Sequence, residues 1–170
     1  MTDELESCAV CGFVWDVISP PEIAPRMIAA MEFAAGLLEV HSENALLRRT
    51  PDQWSAVEYG CHMRDVLYNI RDKMVLITVE ENPQSLPLHG VPRVELGLYR
   101  HEDPQTLAVE MRLAGALFTR TFDALPQSSH NRMFLYRYPR EAMRNLIWVA
   151  AQALHESEHH AADIRQVLSN

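Results

Sequence analysis

Leu154-His155-Glu156-Ser157-Glu158-His159-His160 lies near the end of a run with helical apolar period, from about Pro139 to Leu168. Leu146, Ala150, Ala153, Ser157, Ala161, Ile164 and Leu168 form one stripe of that helix. Trp148, Gln152, His155 and His159 form the next stripe. His155 and His159 are four residues apart and share a face, so their imidazoles can hold one metal ion. Two ligands do not make a tight site. The third candidate is His62, in Trp54-Ser55-Ala56-Val57-Glu58-Tyr59-Gly60-Cys61-His62. His160 falls off the stripe of the pair and reads as a packing or supporting residue. The letters also spell the H-E-x-x-H of zinc peptidases. No His or Glu follows His160, however, and Ala162 and Arg165 stand where the extended form of that motif needs Gly and His.

Working outward, three more helices are expected. Ser55 and Glu58 make an S-x-x-E capping box that opens a helix running to about Glu81. Tyr59, His62, Val66, Ile70 and Met74 are its inward stripe, and Glu58 and Asp65 flank His62 at spacings that can orient its ring. A first helix is read from Ile23 to about Arg48, with Met27, Met31, Ala34, Leu38 and Ala45 inward and His41 on the same stripe as a reserve ligand. Thr50-Pro51-Asp52 ends it. Asp103-Pro104 opens a further helix whose apolar face is Leu107, Met111, Ala114, Phe118 and Phe122. Between these lie Asn82 to Glu102, rich in Pro and Gly with His89 and His101 exposed, and Gln127 to Tyr138, rich in Arg and aromatics. An arginine in the latter stretch can meet an anionic substrate group. Four such helices without strand-like alternation imply an all-α, antiparallel four-helix bundle over residues 22–170.

Residues 1–21 read as a separate short segment carrying Cys8-Ala9-Val10-Cys11-Gly12-Phe13. It resembles half of a zinc ribbon, but a second C-x-x-C is absent and Cys61 is the only other cysteine. The expectation is two reduced thiols, one tucked against the bundle by Phe13 and Trp15, with a redox pair as the alternative. A chain of 170 residues, 48% hydrophobic, is long enough for one cored domain. A net charge of −8 without a Lys/Arg cluster argues against nucleic acid. No signal peptide or membrane span is read, which implies a cytoplasmic protein without a membrane partner.

The pieces Trp54-Ser55-Ala56-Val57-Glu58-Tyr59 leading into His62-Met63-Arg64-Asp65-Val66, then Tyr99 with Glu102-Asp103-Pro104, then His155-x-x-x-His159, resemble the DinB-like superfamily. That superfamily includes bacterial thiol-dependent S-transferases and mycothiol-dependent maleylpyruvate isomerase. The resemblance implies a divalent metal held at one end of the bundle by a histidine of helix two and two from the last helix. Carried over, these are His62, His155 and His159. It further implies open coordination positions at which a low-molecular-weight thiol such as mycothiol or bacillithiol becomes a thiolate and attacks a small electrophile, with Glu156 as a candidate base. Zinc, nickel, iron and cobalt all suit such a ligand set. The alternatives are a non-catalytic metal-binding stress or regulatory protein and a metal-dependent hydrolase of the H-E-x-x-H type. A homodimer is compatible with all three.

Overall fold

The computed structural model describes residues 5–81, 83–84, 86–138 and 140–169. Asn82 and Pro139, which serve as boundaries in the sequence, lie outside them. The elements are α1 (Pro20–Val40), α2 (Ala56–Val79), α3 (Gly90–Glu95), α4 (Pro104–Ala124), β1 (Met133–Tyr136), β2 (Ala142–Asn145) and α5 (Leu146–Ser169).

Each long helix begins where its sequence offers a cap. In α1 the Ser19 amide donates to Glu22 at 2.9 Å, and Pro20 and Pro21 fill positions whose amides need no partner. In α2 the Glu58 amide donates to Ser55 Oγ at 3.2 Å while the Ser55 amide donates back to Glu58 at 2.8 Å. Asp103 accepts the Thr106 amide at 2.7 Å to start α4, and Asn145 Oδ1 accepts the Trp148 amide at 2.8 Å to start α5.

Two boundaries differ from those read in the sequence. α1 stops at Val40 rather than near Arg48, because Ser42 and Asn44 favour turns over helix continuation and residues 41–46 turn instead. His41 therefore caps the helix C-terminus. The last helix starts at Leu146, and the chain before it forms a β-hairpin with Met133 opposite Asn145 and Tyr136 opposite Ala142. Phe134 and Tyr136 alternate into the core, but four residues are too short a run to signal a strand in a helical chain.

The four long helices pack as a bundle in the order α1, α4, α2, α5 around the ring. Directions follow from side-chain partners. Arg112 reaches Glu39 and Glu32 while Gly115 faces Met31, so α1 and α4 are antiparallel. Trp54, just before α2, packs on His160, while Tyr136, just before α5, packs on Lys73 deep in α2, so α2 and α5 are antiparallel too. Arg26 meets Glu158, and Phe33 shares a surface groove with Arg165, so α1 and α5 run the same way. Consecutive helices α1 and α2 then sit on a diagonal and touch little. Gly60 makes room where the end of α1 meets the starts of α2 and α4: a Cβ there would sit 3.0 Å from Leu107 and 3.1 Å from both Leu38 and Met111.

The core of the bundle includes Met27, Met31, Leu38, Leu67, Ile70, Met111 and Phe118, all essentially inaccessible. Phe13, Trp15 and Ile18 from the N-terminal segment join the same core. Trp15 stacks on Trp148 with ring centroids 5.8 Å apart. Among the described residues, no helix is long and apolar enough to cross a membrane.

Candidate metal centre

α5 carries two pairs of potential ligands one residue out of step, and the fold sends them to different partners. Glu156 and His160 face α2. Glu156 Oε2 lies 3.1 Å from His62 Nε2 and 3.4 Å from His160 Nε2. Its other oxygen accepts a 2.8 Å bond from the Gln152 side chain. His160 Nδ1 is 2.8 Å from Asp163, a carboxylate behind an imidazole that fixes the ring and leaves Nε2 facing Glu156. Trp54 packs on the edge of His62 and Tyr59 on His160, at centroid distances of 5.4 and 5.3 Å. Gly90, at the start of α3, lies against His62 so closely that a Cβ would be 2.7 Å from its ring.

This arrangement fits a divalent cation. Two imidazole nitrogens and one carboxylate converge, the N₂O donor set of open catalytic zinc sites. The carboxylate is buried, with 9% of its residue surface exposed. Burial alone would raise its pKa, yet the imidazoles of His155, His160 and His62 around it hold it well below the ordinary carboxylate range. Burial likewise disfavours the charged His160, but Asp163 and Glu156 outweigh it and raise that pKa to about 9.

His155 and His159 face the N-terminal segment instead. Their ring nitrogens and the sulfurs of Cys8 and Cys11 all lie within 4.8 Å of one another. Cys8 Sγ is 3.9 Å from His159 Nδ1. His155 is packed between Phe13 and Trp15, at 5.3 and 4.8 Å, and both of its ring nitrogens are buried without a hydrogen-bond partner. Burial raises the thiol pKa of Cys8, but the backbone amides of Cys11 and Val10 overcome this and bring it to about 7.

Both clusters open on one cavity of about 690 Å³, whose wall also carries Lys73, Tyr136, Arg137 and Arg140.

The three histidines indicated by the family resemblance are thus divided. His155 and His159 come together, while His62 lies with Glu156 and His160. Glu58 and Asp65 do not orient His62. Glu58 is held by Arg48 at 2.6 and 2.7 Å, and Asp65 by Arg64, Arg93 and Tyr99 at 3.0, 2.5 and 2.7 Å. His62 Nδ1 is left buried and unpartnered. His41 sits at the far end of α1, fourteen residues beyond the Met27 that touches Ser157, or about 20 Å of helix. His89 and His101 are exposed, and His89 borders the cavity. His160 and the two N-terminal cysteines were not assigned as ligands from sequence. The signal available for His160 was its own i, i+4 relation to Glu156, the same spacing that singled out His155 and His159. Cys61 is fully buried, and burial raises its thiol pKa.

A ring of four long helices with potential metal ligands gathered on the middle turns of α5 defines the class of bundle. The sequence pattern of the DinB superfamily matches residues 30–164, and the chain belongs to that superfamily. Among solved structures it is similar to YfiT from Bacillus subtilis, described as a probable metal-dependent hydrolase with an unusual four-helix bundle topology. The TM-score is 0.72 at 18% identity, over 89% of each chain. No curated protein matches.

Proposed function

We propose that the protein is a metal-dependent enzyme that presents an external low-molecular-weight thiol, as thiolate, to a small anionic electrophile. The observation that carries this reading is the convergence of His62, Glu156 and His160 on the wall of a cavity of about 690 Å³. Three protein ligands leave coordination positions free, and a cavity of that size accepts a drug-sized ligand or two smaller ones. When bound, a divalent cation supplies Lewis acidity that takes a coordinated thiol to its thiolate. The chain's own residues do the remainder. Asp163 and Gln152 hold His160 and Glu156 in place, and Trp54 and Tyr59 confine the two imidazoles. Glu156 has both oxygens engaged by neighbours, which suits a ligand better than a travelling base. Lys73 lines the cavity beside Arg137 and Arg140, which are paired to Glu141 and Glu6 at 3.6 and 3.2 Å, and these cations would hold an anionic group of the electrophile while the thiolate displaces its leaving group, the S–C bond forming as the bond to that group breaks.

A second reading has water in place of the thiol, giving hydrolysis. The description of YfiT as a probable metal-dependent hydrolase favours it. The two readings separate in one experiment. Purified protein is loaded with zinc, nickel or cobalt and offered a panel of thiols with activated, acidic electrophiles, beside esters and amides without thiol. Turnover that needs thiol, stops on chelation and returns with metal is the expected result. Thiol-independent ester or amide cleavage would replace it with the hydrolase reading. Glu156→Gln should lower activity by more than about a hundredfold, beyond the 10–100-fold typical of losing an outer partner of a ligand.

A further inference from the structure

We propose that Cys8, Cys11, His155 and His159 form a second, closed zinc site that clamps the N-terminal segment onto α5. It shares no ligand with the His62, Glu156 and His160 centre. The two thiols and two imidazoles converge within 4.8 Å, close enough for one ion to draw all four together. Two sulfurs and two nitrogens from C-x₂-C and H-x₃-H are the donor set and spacing of structural, four-coordinate zinc.

The segment around the cysteines is built to hold them. The Cys8 amide donates to the Phe13 carbonyl and the Gly12 amide to the Cys8 carbonyl, each at 2.8 Å, which closes a tight turn. Gly12 takes φ +74°, a conformation that L side chains rarely adopt. A strand-to-helix setting of the thioredoxin kind is absent among the described residues, so a redox role for the pair has no support.

The histidine side points to the same ligand. His155 is 9% exposed, and neither buried ring nitrogen makes a hydrogen bond, Glu156 standing 3.5 Å from Nδ1. An orphaned buried imidazole is costly, and an ion beside it removes that cost. Closure by four protein ligands excludes substrate from this ion, so its role is structural. The same segment delivers Trp15, whose Nε1 donates to Gln152 Oε1 at 2.7 Å, and Gln152 in turn holds Glu156 at 2.8 Å. The clamp thereby holds the element that positions a ligand of the open centre.

The full chain tests this by metal content and by cobalt substitution. Wild type should bind one zinc more than Cys8→Ser/Cys11→Ser, and that extra zinc should survive in His62→Ala. Cobalt-loaded wild type and His62→Ala should both show a thiolate-to-cobalt charge-transfer band with the intense d–d absorption of tetrahedral cobalt. The cysteine double variant and His155→Ala/His159→Ala should both lack the band. A wild-type cobalt spectrum without a thiolate band would overturn the site, whether or not any variant folds. So would a full-strength band in the His155→Ala/His159→Ala protein, since the histidines would then not be ligands.

Discussion

Glu156/His160 and His155/His159 are the same geometric device, an i, i+4 pair on one helix, rotated by about 100°. Their surroundings make them opposites. The first pair faces a neighbouring helix of the bundle, where three imidazoles and an amide surround one carboxylate. The second faces a short turn whose order comes from two backbone hydrogen bonds and two aromatic side chains. The bundle-facing pair has its charges met by protein groups and needs only to keep coordination positions open. The turn-facing pair leaves a buried imidazole unsatisfied and brings two thiols beside it. Helix packing thus suffices to shape an open centre, whereas a segment with little core of its own depends on an ion, as small zinc modules do.

Gly90→Ala should separate the two centres most sharply. An added Cβ would lie 2.7 Å from His62 Cε1 and Nδ1, and that ring is confined by Trp54 on another side. The imidazole has to shift by about 1 Å, enough to cost on the order of 10²-fold in a site that depends on position. Turnover and metal affinity at the open centre should fall accordingly, with the thiolate–cobalt band of the cysteine cluster unchanged. Unaltered turnover would mean that α3 does not position His62.

Trp15→Phe probes the bridge between them. The ring stays, but the indole N–H that reaches Gln152 is lost. A buried carbonyl oxygen without its donor costs about 1–2 kcal/mol, visible as a lower denaturant midpoint. Gln152 is then free to turn, and Glu156 loses a support. Metal affinity at the open centre should weaken about tenfold, the low end for an outer partner of a ligand. If only stability changes, the two centres are neighbours without coupling.

The bundle was legible because its information is local and periodic. The capping box at Ser55, the Asp103-Pro104 start and the 3.6-residue stripes each declare a helix from neighbouring letters, whereas a first helix read from Ile23 misses the Ser19 box. The hairpin was not, since β1 offers two inward residues and β2 does not alternate. The direction of the helices was also hidden: links of similar length allow either order, and only packing at Gly60 and Gly115 chooses. In the site, the metal-binding character of α5 could be read from its spacing. The assignment of partners could not. Which of two adjacent i, i+4 pairs meets His62 depends on the rotation of α5 against α2, a difference of one residue step. The partnership of Cys8 and Cys11 with His155 and His159 spans about 150 residues of chain and has no periodic signal at all.

Lys73 gives the smallest effect and tests whether this wall of the cavity is built for binding at the expense of stability. Glu156 is buried with three imidazoles around it, but Lys73, 7% exposed, has no carboxylate partner among the described residues. Its ammonium contacts Asn69 at 2.5 Å and lies 5.2 Å from the Tyr136 ring centre. Burial lowers its pKa from 10.5 to about 8. The unfolded chain therefore holds this proton more tightly than the folded one. The cost to stability is full below about pH 8, shrinks as pH rises from there to about 10.5, and vanishes above. Lys73→Met keeps the stem and removes the charge. It should stabilise the fold by about 1–2 kcal/mol at pH 7, less than the full shift implies because solvent reaches the cavity mouth. The advantage over wild type should fade across the same alkaline window, as measured by urea unfolding of both proteins at each pH. Taking the difference cancels the other groups that titrate there. A gain independent of pH would locate the effect in packing against Tyr136 instead of in desolvation. If Lys73 holds the anionic group of a substrate, the stabilised variant should also show a raised KM for acidic electrophiles, the usual trade between stability and function at a binding site.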